Sequence, residues 1–252
     1  MSDAPVSVVT GATSGIGRAL AMALAARGDL VVALGRNPGR LAETETLLAA
    51  AGPAPHRVLG LDVASEPDMA TLAGILADLG RADLMIASAA VGRGLGGHRV
   101  PPPTAELPLD HWQAMIDVNL NGVFLANRAV LPLMLAAGDG DIVNIGSSTT
   151  PRGLRGTALA PGYAATKFAL AEYGRALADE IGPDGVRVRT IFPGPVETPL
   201  IADTLLDGPF GGRMSDESFT QALLGLIELG RDMALPDPHL LPVPRRKRRR
   251  AA

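Results

Sequence analysis

The chain alternates short apolar runs with longer segments of helical composition, and this alternation limits the folds that it can adopt. Each apolar run is four to six residues long and rich in β-branched residues, as is typical of buried strands. Strands that alternate with helices form right-handed βαβ units, whose strands are parallel and covered on both faces. The sequence therefore predicts an α/β fold, a Rossmann-like doubly wound parallel sheet of about seven strands flanked by helices on both faces. The predicted strands are 6–10, 30–34, 58–61, 84–87, 141–145 and 186–191, and the predicted helices lie near 15–27, 39–51, 66–79, 110–137 and 162–182.

The length of 252 residues and the hydrophobic content of 47% fit one large packed core. We expect a single domain over residues 1–244 that includes a substrate loop at 195–215. The chain has no cysteine, and its four histidines lack the spacing of metal ligands, so we expect neither disulfides nor a metal site. We find no secretory leader at the N-terminus and no long apolar run free of charges. We therefore expect a cytoplasmic protein that has no membrane partner.

The last eight residues form a basic tail. Residues 245–250 are five arginines and one lysine, although the formal net charge of the whole chain is −3. The rest of the chain is therefore acidic, whereas a nucleic-acid-binding domain would carry its basic patch on the folded surface. We expect 245–252 to be a disordered tail, and we expect no nucleic-acid partner. Contact of the tail with RNA, anionic lipid or a neighbouring subunit is the alternative.

A glycine-rich segment joins the first predicted strand to the first predicted helix. Glycine permits a tight turn and a close approach of the backbone to a pyrophosphate. The phosphate would lie at the helix N-terminus, where free N–H groups and the helix dipole attract anions. The spacing differs from the commoner G-x-G-x-x-G, but the place on the first strand–helix unit predicts a dinucleotide site. The predicted contacts are Gly11, Thr13, Ser14, Gly15, Ile16 and Gly17.

The end of the second predicted strand indicates which dinucleotide binds. A carboxylate there would bind the ribose of NAD, but the chain has Arg36 at this place and no acid beside it. A guanidinium can bind a phosphate with two N–H groups, and Arg40 is near enough in sequence to help. The sequence therefore favours NADP(H) as the cofactor, with NAD(H) as the alternative.

Tyr163 and Lys167 are four residues apart in a predicted helix, so their side chains share one face. A phenol with a pKa of about 10 transfers protons poorly at neutral pH, but a nearby ammonium stabilises the phenolate and lowers that pKa. Ser147 follows a predicted strand and can hydrogen-bond a substrate carbonyl, with Ser148 as the second choice. Asn119, in the predicted helix 110–137, can hold a water between the lysine and solvent. These residues together predict a proton-transfer centre.

In their order and spacing, the motifs of residues 5–200 resemble those of the short-chain dehydrogenase/reductase family, in which Asn119, Ser147, Tyr163 and Lys167 would form the catalytic tetrad. The resemblance implies that hydride passes between a nicotinamide and a carbonyl carbon while Tyr163 protonates the oxygen. It also implies a small carbonyl or alcohol substrate and a homodimer or homotetramer formed through helices 110–137 and 162–182. The further cofactor contacts that it implies are Asp62, Val63, Ala89, Tyr163, Lys167, Pro193, Gly194, Val196 and Thr198.

One segment departs from the family pattern, because Ala87-Ser88-Ala89-Ala90 stands where the family usually has N-N-A-G. Fewer amide side chains there could loosen the sheet beside the cofactor. A cofactor-binding sensor or scaffold without turnover is therefore the alternative to an active oxidoreductase. The residues that would select a substrate lie around 91–103, 149–161 and 199–215.

Overall fold

The computed structural model describes residues 4–92, 95, 102–148, 160–202, 212–230, 232–233 and 235–243. The predicted tail 245–252 and much of the three predicted substrate segments lie outside these residues. Within the described chain, seven strands form one parallel sheet in the order β3-β2-β1-β4-β5-β6-β7, which confirms the predicted architecture. The order reverses between β1 and β4, and such a reversal opens a crevice at the carboxyl ends of the strands. The strands are β1 Val6–Thr10, β2 Leu30–Gly35, β3 Arg57–Gly60, β4 Leu84–Ala87, β5 Gly140–Ile145, β6 Val186–Pro193 and β7 His239–Leu240.

Helices cover both faces of the sheet. They are α1 Gly15–Arg27, α2 Pro38–Ala51, α3 Glu66–Leu79, α4 Leu109–Ile116, α5 Gly122–Ala137, α6 Pro161–Ile181 and α7 Asp216–Ile227. Successive residues of a strand point to opposite faces, so neighbouring valines of β1 join different apolar clusters. Val8 packs with α3, α5 and α6, whereas Val9 packs with α1, α2 and α7. Burial on both faces explains why the strands read as continuous apolar runs.

Local sequence signals set the ends of α3. The Ser65 side chain accepts a hydrogen bond from the Asp68 backbone N–H at 3.3 Å, and a proline stands in the first turn. Gly80 ends the helix with φ +74°, a left-handed conformation that glycine adopts without strain. The observed bounds are those that the sequence predicts.

The structure differs from the prediction in two places. The predicted helix 110–137 is divided by one π-helical turn, Asp117–Asn121, between α4 and α5. In addition, α7 was not among the predicted elements, and the two-residue strand β7 was not among the six strands placed on apolar runs, although about seven strands were expected. A π turn inside an α-helix is often found at a functional site, and this one contains Asn119.

The helical run Leu109–Ala137 is long and apolar enough, by length and composition alone, to cross a membrane. Its α5 part packs against the sheet, where Val130 is fully buried. The outer side of α5 leaves Phe124 45% exposed and Leu135 40% exposed. The family resemblance implies that subunits pair through this helix. We predict that these two side chains lie at the subunit interface.

Candidate active site

A cleft of about 540 Å³ opens over the carboxyl ends of the strands at the point where the strand order reverses. This volume is within the range of about 300–1,000 Å³ that is typical of ligand sites. All the predicted cofactor residues line it, and so do three of the four predicted tetrad residues, Ser147, Tyr163 and Lys167. Asn119 lies behind the cleft wall, where its neighbour Val118 is the lining residue.

The glycine-rich segment forms a tight cradle at one end of the cleft. Gly11 and Gly15 have φ of +65° and +51°. A Cβ on Gly17 would lie 2.4 Å from the backbone oxygen of Gly11, and a Cβ on Gly11 would lie 2.8 Å from Cα of Ala89. The side chain of Ser14 does not cap α1, so in the described chain the N–H groups of its first turn remain available to an anion. These features fit the pyrophosphate of a dinucleotide.

Residues that follow β2 and β3 form the end of the cleft where the sequence predicts the adenosine, and we call it the adenosine end. Arg36 donates from Nη1 to Oδ2 of Asp62 at 2.9 Å, so the two predicted cofactor residues form an ion pair. Arg40 also lines the cleft, at the start of α2. The structure thus brings together a carboxylate and two guanidinium groups at this end.

The Ala87-Ser88-Ala89-Ala90 segment is held firmly without the amide side chains of the family pattern. Oγ1 of Thr10 accepts hydrogen bonds from the backbone N–H groups of Ser88 and Ala89, both at 3.1 Å. A little further on, the Val91 backbone donates to Oδ1 of Asn119 at 2.8 Å. The departure from the family pattern therefore leaves β4 tied to β1 on one side and to the π turn on the other.

A Thr10→Val variant should lower the free energy of unfolding by about 1–3 kcal/mol, because the Ala89 N–H would lose its acceptor inside the protein. Val has nearly the same shape, so packing changes little, and Thr10→Ser is the matched control that keeps the hydroxyl. Urea-induced unfolding followed by circular dichroism measures the difference. Equal stability of the Val and Ser variants would show that the hydroxyl does not hold this segment.

Lys167 is buried below the cleft floor, on the same face of α6 as Tyr163. Its side chain is 2% exposed, and Nζ donates to the backbone oxygen of Ile145 at 2.7 Å. Nζ lies 5.8 Å from the centre of the Tyr163 ring. Burial lowers the pKa of Lys167 from 10.5 to about 8, so the amine is still mostly protonated at neutral pH. A positive charge is thus held close to the phenol.

Asn119 uses its side chain to fix the backbone around the site. Its Nδ2 donates to the Val91 oxygen at 2.9 Å and to Oγ1 of Thr166 at 3.2 Å, and the residue is fully buried. Thr166 in turn donates to the Tyr163 backbone oxygen at 2.8 Å. Both amide N–H groups are therefore engaged with protein, and the predicted role of Asn119 in holding a water stays a prediction. Sequence reasoning missed Thr166, although its place directly before Lys167 was visible.

The segment from Pro193 to Thr198 lines another part of the cleft wall. Gly194 donates its N–H to the Leu240 oxygen at 2.7 Å, so the short strand β7 supports this segment. Val196 forms a parallel bridge with Met214, just before α7. Thr198 reaches the glycine-rich cradle, since a Cβ on Gly15 would lie 3.1 Å from Cβ of Thr198. The segment from Pro193 to Thr198 therefore borders the glycine-rich cradle.

Comparison with known proteins agrees with this geometry. The short chain dehydrogenase family model matches residues 5–207. The D-threitol dehydrogenase of Mycolicibacterium smegmatis is 37% identical over 239 residues, which are 93% of this chain and 82% of the relative. The 2-dehydro-3-deoxy-L-rhamnonate dehydrogenase (NAD(+)) of a Sphingomonas species is 35% identical over 196 residues, which are 77% of this chain and 73% of the relative.

Among solved structures, an actinorhodin polyketide ketoreductase with NADPH superposes with a TM-score of 0.82 at 28% identity. The match covers 95% of this chain and 96% of that one. The family match spans the glycine-rich cradle, the Tyr163–Lys167 pair and the segment from Pro193 to Thr198. The chain therefore belongs to the short-chain dehydrogenase/reductase family and is an NAD(P)-dependent oxidoreductase that acts on CH–OH groups.

Proposed function

We propose that this chain interconverts a small carbonyl compound and its alcohol with NADP(H) as the preferred cofactor, and that Tyr163 transfers the proton. One observation carries the proposal: Ser147, Tyr163 and Lys167 line the same cleft as the glycine-rich cradle. A substrate in this cleft can therefore meet a hydroxyl, a phenol and a cofactor at once. The nicotinamide of the bound cofactor would give or take the hydride.

Each side chain has a role that its surroundings support. The Tyr163 phenol would donate its proton to the substrate oxygen as that oxygen gains negative charge. Ser147 lies at the cleft wall, and the residue is 8% exposed. Its hydroxyl would orient the same oxygen by a hydrogen bond. The buried ammonium of Lys167 would stabilise the phenolate that remains, and it would also hold the cofactor ribose. Asn119 bonds both to Thr166 of α6 and to the segment that follows β4, and it would hold the two at a fixed distance.

The preference for NADP(H) rests on the adenosine end of the cleft. Arg36 and Arg40 both line this end, and a 2′-phosphate would find guanidinium groups there. The relatives named above include one described with NAD(+) and one with NADPH, so members of both kinds have this fold. The two arginines make NADP(H) the better match for this chain.

The first test is oxidation of NADPH and of NADH, each followed by the absorbance of the reduced nicotinamide, against ketones, aldehydes and 3-oxo acids. We expect turnover with NADPH that exceeds turnover with NADH at equal concentration. Tight NADPH binding with no turnover across the panel would contradict the proposal and favour a sensor or scaffold. The hydrogen bonds that Thr10 accepts from the backbone of Ser88 and Ala89 argue against a loosened sheet and so support turnover over that alternative.

A further inference from the structure

The ion pair between Arg36 and Asp62 lies where the 2′-phosphate of NADP would bind. Gly35 and Gly60 are paired in neighbouring strands, so the residues that follow them emerge side by side at the sheet edge. The Arg36 and Asp62 side chains are 60% and 33% exposed, and their charged atoms are 2.9 Å apart. Both side chains line the cleft.

Asp62 is held in place by contacts of its own. Its Oδ1 accepts a hydrogen bond from the Ala64 backbone N–H at 3.0 Å, which leaves Oδ2 for Arg36. Its backbone N–H donates to Oδ2 of Asp68 at 2.7 Å. The bond from Ala64 holds the carboxylate and the bond to Asp68 holds the backbone of the same residue, so the carboxylate cannot swing away from Arg36 without breaking the bond to Ala64.

A phosphate that binds Arg36 would have to share the guanidinium with this anchored carboxylate. Two negative groups on one guanidinium repel each other, and the carboxylate already uses one of the N–H donors. NAD carries a hydroxyl in place of that phosphate and does not meet this repulsion. Arg40, in contrast, forms no ion pair with any residue that the structure describes.

We propose that Asp62 is a specificity-determining residue, a fixed counter-ion of Arg36 that weakens the binding of the 2′-phosphate and so brings the affinities for NADP(H) and NAD(H) closer together. This proposal rests on the proposed function, because it assumes that a nicotinamide dinucleotide binds in this cleft. In the resulting division of roles, Arg40 supplies the uncompensated positive charge for the phosphate. Arg36 becomes fully effective only when the charge of Asp62 is removed.

The test is an Asp62→Asn variant titrated separately with NADPH and NADH, with binding followed by nicotinamide fluorescence at low salt. Asn keeps the Oδ1 acceptor for Ala64 but loses the charge. We expect the ratio of the dissociation constant for NADH to that for NADPH to rise about fivefold, the size of one exposed charge interaction. The matched control is Glu66→Gln, which removes an equal charge from an exposed pair with Arg128 that does not line the cleft.

A double-mutant cycle with Arg36→Gln separates a counter-ion from a general repulsion. If Asp62 acts through Arg36, the effect of Asp62→Asn on the ratio should fall below about twofold in the Arg36→Gln background. An unchanged ratio in Asp62→Asn, or a full effect without Arg36, would overturn the counter-ion role while the wild-type titrations still showed binding. Wild-type protein that bound neither nucleotide would instead overturn the proposed function, and this inference with it.

Discussion

A Tyr163→Phe variant is expected to lose a factor of about 10²–10⁴ in kcat while it binds NADPH with an unchanged dissociation constant. The substitution removes only the hydroxyl, which is the atom that would give its proton to the substrate oxygen. The ring remains, so the packing of α6 and the position of Lys167, 5.8 Å from the ring centre, are preserved. Loss of turnover with retained binding would therefore point to proton transfer.

The chain provides a matched control for this variant, because its other tyrosine, Tyr173, lies on the same helix. Tyr173 packs edge to face against Phe124 and shares a hydrogen bond with Asn127, away from the cleft. Tyr173→Phe should keep the wild-type kcat, and steady-state assays with the best substrate of the carbonyl panel compare the two variants. A Tyr163→Phe variant that retained more than about a tenth of wild-type kcat would rule out Tyr163 as the main proton donor.

The elements that the sequence predicts well are those whose signal is local. The central strands β1, β2, β4 and β5 are buried on both faces, which explains their apolar character, whereas the edge strand β3 is partly exposed. Glycines that must approach other backbone atoms mark the turn into α1. The carboxyl ends of parallel strands lie at one edge, so the motifs that follow them were expected to meet. In the structure the glycine-rich segment, Tyr163 and Lys167 line one cleft.

Of the two elements that were missed, one depends on a partner distant in the sequence. The strand β7 has two residues, and it exists because His239 pairs with Phe192, which no periodic pattern reveals. The helix α7 had a visible signal, since Phe219, Leu223 and Ile227 repeat every four residues and are all buried. Its position directly after a Gly/Pro-rich stretch made that short run easy to assign to a loop.

The fine structure of the site was unpredictable for the same reason. Thr10 bonds to residues 78 and 79 positions away, and Asn119 bonds to Thr166 across 47 positions. A sequence motif identifies which residues gather at the cleft but not which of their atoms are already engaged with protein. For Asn119 the sequence suggested that the residue holds a water, which stays a prediction, and it gave no sign that the side-chain amide would bond to the backbone of Val91.

A Lys167→Met variant is expected to lose about 10²-fold or more in kcat and to change how stability depends on pH. Burial lowers the pKa of Lys167 from 10.5 to about 8 in the folded protein, whereas the unfolded chain keeps the ordinary value. Below pH 8 both states carry the proton, and the folded state bears the full cost of the buried ammonium. Between about pH 8 and 10.5 the folded state loses its proton first, so the unfolded state binds more protons and stability rises with pH.

The difference in free energy of unfolding between wild type and Lys167→Met should therefore rise by about 3 kcal/mol from pH 7 to pH 10.5, in favour of the wild type. The lost hydrogen bond to Ile145 shifts the whole difference but not its pH dependence, so the slope isolates the titration of the lysine. Urea-induced unfolding of both proteins at intervals of pH measures it, and Lys247→Met, which removes the chain's other lysine, should follow the wild type. A constant difference across this range would mean that Lys167 has the same pKa in both states. Burial would then not have lowered that pKa. A rising difference together with lost turnover would show that the buried ammonium of Lys167 lowers stability at neutral pH and is needed for the reaction.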